Sequence, residues 1–271
     1  MGGSRGASAG FLSSFGENRV IDTPISDSAA IGLASGLALA GKKVILELSG
    51  PDRLAAAWEV LRLDLANLQS RTSGAFSSTV VIRVPSGRGL GGGRYMEASP
   101  EGNLANIDGL RVLSPASGSE AGAMLLEALE KPGPTIIVEP NGLSGQRQTL
   151  GVAAPAAQGS DLVRAGQDIS ILAYGCRVQL AMRLADLGDT QGFSADVLNL
   201  RSLRPLDEAA IAESVKKTGR VLFLHQSETL ASRLMGQITG SAFFHLEAEP
   251  LQSMSDDMDE LMDCVWRTFE T

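Results

Sequence analysis

Few side chains in this sequence combine a reactive type with a telling setting. Ser26 and Asp27 stand directly ahead of a run of small and apolar residues from Ala29 to Ala40. Either can cap the helix that such a run forms, which is a common use of both residue types. As a chemical group, Asp27 offers what any placed carboxylate offers, a site that holds or shares a proton. Glycines 87, 89, 91, 92 and 93 cluster as they would around a phosphate. They lack the strand, tight turn and helix of a dinucleotide fingerprint, and no Lys-Ser/Thr pair follows them, so the segment reads as a flexible loop. Within it, Glu97 is a carboxylate able to act as acid or base, whereas the thioether of its neighbour Met96 can do neither at neutral pH. The two histidines, His225 and His245, lie near the ends of apparent strands, with a structural or surface role expected for each. Cys176 and Cys264 are far apart and show no CxxC or Cys/His spacing, which points to buried free thiols rather than a metal site or a disulfide.

These groups must be carried by an alternation of strands and helices. The apparent strands are short continuous apolar runs rather than in-out alternations, the pattern of a parallel sheet covered on both faces. In the first half, a helix from Ala29 to Ala40 ends at Gly41, a strand runs from Lys43 to Leu48, helical spacing covers Asp52 to Leu68, and Thr79 to Val84 is a β-branched strand. Arg88 to Asn106 has no period and reads as a long loop. A helix over Glu120 to Glu130 and a strand over Thr135 to Glu139 follow, and the aperiodic stretch Asn141 to Ser160 is the expected linker. The second half repeats the alternation: strands at Ile169 to Tyr174, Ala195 to Leu200 and Val221 to His225, helices at Val178 to Leu187 and Asp207 to Lys217, a helix from Ser227, a strand near Phe243 to Leu246, and an amphipathic helix over Asp256 to Phe269. The fold class is therefore α/β with two domains, each a mostly parallel sheet flanked by helices.

Composition is consistent with this. The chain has 271 residues, 44% hydrophobic and 20% charged, enough for one or two cores. Its net charge is −8, and without a basic stripe it has nothing to exchange for the counterions of a polyphosphate, so nucleic acid is not an expected partner. The first ten residues lack the apolar core of a signal peptide, and no window approaches the roughly 20 apolar residues that span a bilayer, so no membrane is expected and the expected location is cytoplasmic.

Pattern alone stops at two α/β domains, and a resemblance goes further. Phe15-Gly16-Glu17-Asn18-Arg19-Val20-Ile21-Asp22-Thr23-Pro24-Ile25-Ser26-Asp27 resembles the FG-x-x-R-V-x-D-T-P-I-S-E segment of the β subunits of 2-oxo acid dehydrogenase E1 components. Gly32 to Gly41 is similar to that family's small-residue helix, and Arg83 to Gly87 to its R-x-P-x-G strand end. Tyr95 to Glu101 stands where the family has Y-H-S-Q-S-P-E, Gly109 to Pro115 resembles G-L-K-V-V-x-P, and Asn199 to Asp207 resembles D-L-R-T-L-x-P-L-D. The landmarks run in family order along nearly the whole chain.

The resemblance implies a transketolase-like pyrimidine-binding domain over residues 1–150, without the family's usual first helix and strand, and a transketolase C-terminal domain over 151–271. It implies thiamine diphosphate bound between chains, with an α-type subunit, expected in an α2β2 assembly, holding the diphosphate and Mg2+. It implies a 2-oxo acid as substrate and a lipoyl or other carrier protein as acceptor. In such enzymes a β-type glutamate shares a proton with the aminopyrimidine and so activates the cofactor. Asp27 stands at that position, one methylene shorter. Met96 stands where the family has a proton-handling histidine, leaving Glu97 as the loop's available acid or base. Arg53 stands where an aromatic residue packs on the pyrimidine, and a guanidinium can also stack on a flat ring. A partner chain is expected to supply the absent N-terminal element, since a parallel sheet without it would expose backbone groups. Two further readings remain: a specialised carboligase, favoured by the loss of the loop histidine, and a subunit kept for its fold with its chemistry lost. A fragment of a single-chain transketolase or deoxyxylulose-phosphate synthase fits less well, because those enzymes keep histidine-rich sugar-phosphate sites.

Overall fold

The computed structural model describes residues 6–90, 93, 99–143 and 159–270. In the first half, a short helix α1 (Phe11–Phe15) precedes α2 (Asp27–Leu39), strand β1 (Val44–Glu47) and α3 (Leu54–Glu59). A π-helical stretch, Val60–Ala66, carries α3 into α4 (Leu68–Arg71). Then come β2 (Val80–Ser86), α5 (Glu101–Leu104), β3 (Arg111–Leu113), α6 (Gly118–Glu130) and β4 (Thr135–Pro140). The second half holds β5 (Asp161–Arg164), β6 (Ile169–Ala173), α7 (Arg177–Gln191), β7 (Ala195–Asn199), β8 (Ser202–Arg204), α8 (Glu208–Thr218), β9 (Val221–Leu224), α9 (Glu228–Ala242), β10 (Leu251–Ser253) and α10 (Met258–Arg267).

Two five-stranded sheets result, in the orders β1-β2-β4-β3-β8 and β10-β9-β6-β7-β5. Each is parallel except for one antiparallel edge strand, β8 in the first and β5 in the second. The apolar runs are covered on both faces, as their composition demands: every residue of β6, β7 and β9 is buried. Several helices start on side-chain caps. Ser117, Asp207 and Ser227 each accept a hydrogen bond from a backbone N–H of the first turn of α6, α8 and α9. Asp257 caps α10, with Asp259 and Glu260 in the first turn beside the positive end of the helix dipole.

The two halves share one core. Leu203 of β8, fully buried, brings a second-half strand into the first sheet, and a continuous cluster runs from Ile31, Leu61 and Val84 to Leu172, Tyr174 and Phe223. A second cluster fills the outer side of the second sheet with Ile171, Leu184, Leu224 and Val265. The expected boundary near residue 150 lies outside the described residues.

Several expectations need correction. Phe243 to Leu246 is not a strand. Phe243–His245 is a 3-10 turn closing α9, Phe244 is 95% exposed, and the edge of the second sheet is β10. His245 is accordingly on an exposed turn, not at a strand end. The periodic stretch from Asp52 begins its helix at Leu54 and passes through the π-helical turns before α4. Strands β3, β5 and β8 were not anticipated, and α5 lies inside the stretch read as loop. Among the described residues no helix is long and apolar enough to cross a membrane.

The seam between halves is tightest where α5 meets the start of α9. A methyl group at Gly102 would lie 2.4 Å from Ser227 Oγ and 2.8 Å from the backbone nitrogen of Leu230. Gly102→Ala is therefore expected to lower the unfolding free energy by about 1–3 kcal/mol. Urea denaturation measures it, and an unchanged midpoint would show that the seam yields.

Candidate functional site

Parallel strands send all their carboxyl ends to one edge, and in open α/β sheets ligands bind outside that edge. In the first sheet this edge gathers the segment after β1 (Gly50 to Arg53), the glycines after β2 and Asn141 after β4. Helix α2 precedes β1 through a tight turn and packs against it. Running back along the strand, it brings its own N-terminus to the same edge.

The capping question at that N-terminus has a definite answer. Ser26 is the cap, its Oγ accepting from the backbone nitrogen of Ala29 at 3.4 Å, and Asp27 is the first helical residue. The next residue ties the helix start to its neighbour, Ser28 Oγ donating to the carbonyl of Ala56 in α3 at 2.8 Å. Asp27 is thus relieved of capping, and its Oδ2 is buried without a hydrogen-bond partner. Burial pushes its carboxyl above the ordinary range; Arg53 opposes this and Asp52 adds to it. Asp52 also has a buried carboxylate oxygen, Oδ1, without a partner. Asp27 and Arg53, singled out in the sequence, are therefore together. Asp52 belongs with them although only its neighbour was singled out.

The foot of the glycine-rich segment is held by polar contacts to the second half. Gly87 and Gly89 have φ of 86° and 84°, backbone that favours glycine. Arg88 Nη1 donates to Asp256 Oδ2 at 3.0 Å, and its carbonyl accepts from Asn141 Nδ2 at 3.2 Å. Asp256 also receives the buried guanidinium of Arg177, at the start of α7. Met96 and Glu97 lie outside the described residues.

Below that foot sits a carboxyl group whose role the sequence did not announce. Glu101 is 1% exposed, Ser86 Oγ donates to its Oε1 at 3.3 Å, and its Oε2 has no partner. Burial pushes its carboxyl up to about 7, against the smaller opposing effects of its own backbone hydrogen bond, Ser99 and Ser86. Tyr174 stands close by, its phenol raised by burial and by the charge of Glu101, and its oxygen accepts from the backbone nitrogen of Gln226 at 3.1 Å. The motif Tyr95 to Glu101 was the available signal, but burial of a loop-flanking carboxylate is tertiary information.

The remaining candidates resolve into structural roles. His225 is 2% exposed and stacked on Phe223 with ring centroids 5.3 Å apart. Burial, helped by Arg177, depresses it to about 4, so it is neutral at pH 7. Cys176 and Cys264 are free and half-buried rather than fully buried, and burial raises the Cys176 thiol. Among the described residues no group of three or more His, Cys, Asp and Glu could hold a metal ion.

Comparison with known proteins identifies the family. Residues 1–146 match the family described as Transketolase, pyrimidine binding domain, and residues 159–261 match Transketolase, C-terminal domain. The chain is 33% identical to the pyruvate dehydrogenase E1 component subunit beta of Leifsonia xyli, over 93% of this chain and 76% of that protein. It is 32% identical to the 2-oxoisovalerate dehydrogenase subunit beta of Pseudomonas aeruginosa, over 92% and 76%. Among solved structures, one described as split gene transketolase, inactive beta4 tetramer, superposes with a TM-score of 0.78 over 99% of this chain and 89% of that one. Its 19% identity makes this a likeness of fold.

Glu101 gives stability a definite pH dependence. Its carboxyl is at about 7 folded against 4.5 unfolded, so the folded state binds the extra proton between these values, and stability falls as pH rises through that window and levels off above it. The drop is expected to reach about 3 kcal/mol. Glu101→Gln, which cannot ionise, should flatten this part of the stability profile in urea titrations from pH 4.5 to 8. An unaltered slope would place the titration elsewhere.

Proposed function

Since the chain belongs to the transketolase-like family that includes the β subunits of 2-oxo acid dehydrogenase E1 components, we propose that it is the β-type half of a two-component thiamine-diphosphate enzyme that decarboxylates a 2-oxo acid and passes on the remaining fragment. One observation carries the reading: Asp27 keeps a buried oxygen unpaired at the carboxyl ends of the first sheet, on a helix already capped by Ser26. A buried acceptor without a donor is costly, and a ligand bearing a ring nitrogen with a proton to share relieves that cost. The residues present fit the group at this end, and the cofactor, when bound, supplies the carbon that adds to the oxo acid and accepts the electrons left by carbon dioxide.

The work of this chain is then to hold a proton at Asp27, between its carboxylate and the ring nitrogen, and to wall the ring. Desolvation of Asp27 favours that sharing, because it raises the proton affinity of the carboxyl toward that of a heteroaromatic nitrogen. Arg53 offers a flat cationic face in place of an aromatic wall. Glu97 is the proposed further acid or base, with Met96 beside it in sequence. The diphosphate and Mg2+ fall to an α-type partner, with α2β2 the proposed assembly. The fragment passes to a lipoyl group or another carrier. Because Met96 replaces the histidine expected to serve a lipoyl acceptor, carboligation is the second reading of the transfer step. A subunit kept only for its fold is disfavoured, since it would have no use for a carboxylate oxygen buried without a partner at Asp27.

The test is carbon dioxide release from 2-oxo acids by the complex with its α-type partner, with and without thiamine diphosphate. Asp27→Ala is expected to lower kcat by about 10²-fold or more, with Asp27→Glu retaining most of it. Cofactor-dependent turnover that survives Asp27→Ala would remove Asp27 from the mechanism. Absence of a thiamine-diphosphate binding heat in the wild-type complex would remove the enzyme reading itself.

A further inference from the structure

Asp27 does not stand alone at its edge of the sheet. Asp52, five residues beyond β1, is half-buried, and like Asp27 it keeps one buried carboxylate oxygen without a hydrogen-bond partner. Its place is fixed by its neighbours. Pro51 before it and Leu54 after it are buried, the backbone nitrogen of Leu54 donates to the carbonyl of Pro51 at 3.3 Å, and the following helix is tied to the start of α2 through Ser28 and Ala56. Arg53 lies between the buried residues on the same turn.

We propose that Asp52 is a positioning residue of the Asp27 site, forming with Arg53 a charged pair that decides whether Asp27 meets a ring nitrogen as hydrogen-bond donor or acceptor. The inference rests on the thiamine-diphosphate reading and adds a residue to it.

The electrostatics of the surroundings single out this pair. Charged side chains on the elements packed against α2 include Glu47 on β1, Arg83 on β2, Glu59 on α3, and Arg62 and Asp64 on the π-helical stretch. Arg83 is taken up by both oxygens of Glu139 at 2.7 and 2.8 Å, and Asp64 pairs with Arg71. The charges that act on Asp27 are Arg53, which favours its ionised form, and Asp52, which opposes it. A like charge and an opposite charge on adjacent residues push the same carboxyl in opposite directions. Removing one or the other must therefore displace Asp27 in opposite senses. Asp27 and Asp52 each keep a buried carboxylate oxygen without a partner, which is costly in the absence of a donor. A ring nitrogen bound at Asp27 enters that balance as the group with which its proton is shared.

The experiment has two readouts. Carboxyl carbon NMR follows the titration of Asp27 in the isolated chain, and calorimetry follows thiamine-diphosphate binding to the complex with its α-type partner from pH 5 to 9. Variants are Asp52→Asn, Arg53→Gln and, as a second variant at the first position, Asp52→Ser. With Asp52→Asn or Asp52→Ser, the Asp27 midpoint and the pH profile of binding are expected to move together to lower pH. With Arg53→Gln both should move to higher pH. On the flanks of the profile, affinity should change by about three- to tenfold in opposite directions. A purely structural role would weaken binding at every pH without splitting the profiles. Heat in the wild type with variant profiles that coincide with it, or move in the same direction, overturns the inference alone. Absence of heat in the wild type at every pH overturns the functional reading and this inference with it.

Discussion

The first sheet is completed by a strand that belongs to the other half of the chain, and the rest of the molecule depends on that pairing. β8 lies antiparallel on β3, with Val112 opposite Arg204 and Leu113 opposite Ser202. Ser114 then donates its backbone N–H to the carbonyl of Arg201 at 2.8 Å. Arg201 reaches this position with φ of 45°, and its guanidinium donates to the carbonyls of Gly159 and Ser160. The pairing covers the edge that β3 would otherwise present, with β8 as the new edge of the sheet. It also forces the carboxyl ends of both sheets to face one another across a shared core, so Gly175, after β6, has Pro140 and Ser114 of the first sheet as its neighbours.

Where two sets of carboxyl ends converge, unpaired polar groups collect, and this fold buries several. Asp27, Asp52, Ser114, Glu101 and His225 each keep a buried side-chain atom without a partner. They are not equivalent. His225 avoids the cost by remaining neutral, and Glu101 by binding a proton near pH 7. Both have packing partners that leave no need of a ligand: a stacked phenylalanine for the first, Ser86 and Tyr174 for the second. Asp27 and Asp52 lie half-buried on elements pinned to each other, and the cation that acts on Asp27 is Arg53, between buried neighbours. The difference separates residues that complete the core from the two on which the proposed site rests.

How much of this could be read in the sequence follows from where the information resides. Runs such as Val80 to Val84, Ile169 to Ala173 and Val221 to Leu224 declare themselves, because a strand covered on both faces is dominated by apolar residues, with Arg83 and Ser170 as the exceptions here. Ser202–Arg204 and Asp161–Arg164 do not, since antiparallel edge strands are short and partly polar, and their pairing is set by distant partners. The aromatic run at Phe243 misled for the converse reason: it has strand composition, but nothing pairs with it and the end of α9 turns it outward. At the site, Asp27 was legible through its motif, and its separation from the cap was legible only in coordinates. Asp52 carries no such signal, because what the resemblance implies for this segment concerns Arg53, which stands where an aromatic residue is expected.

That replacement changes the terms on which Asp27 operates. An apolar wall desolvates a carboxylate and leaves it to the ligand alone to supply a proton. A guanidinium in that place pulls the carboxylate toward its charged form and would, unopposed, make it a poorer proton donor. Burial at the start of α2 is the larger influence and works the other way, and Asp52, on the adjacent residue, adds a smaller push in the same direction, so the net effect on Asp27 is still upward. Arg53 and Asp52 thus act on Asp27 in opposite directions, each against a background of burial that favours the protonated form.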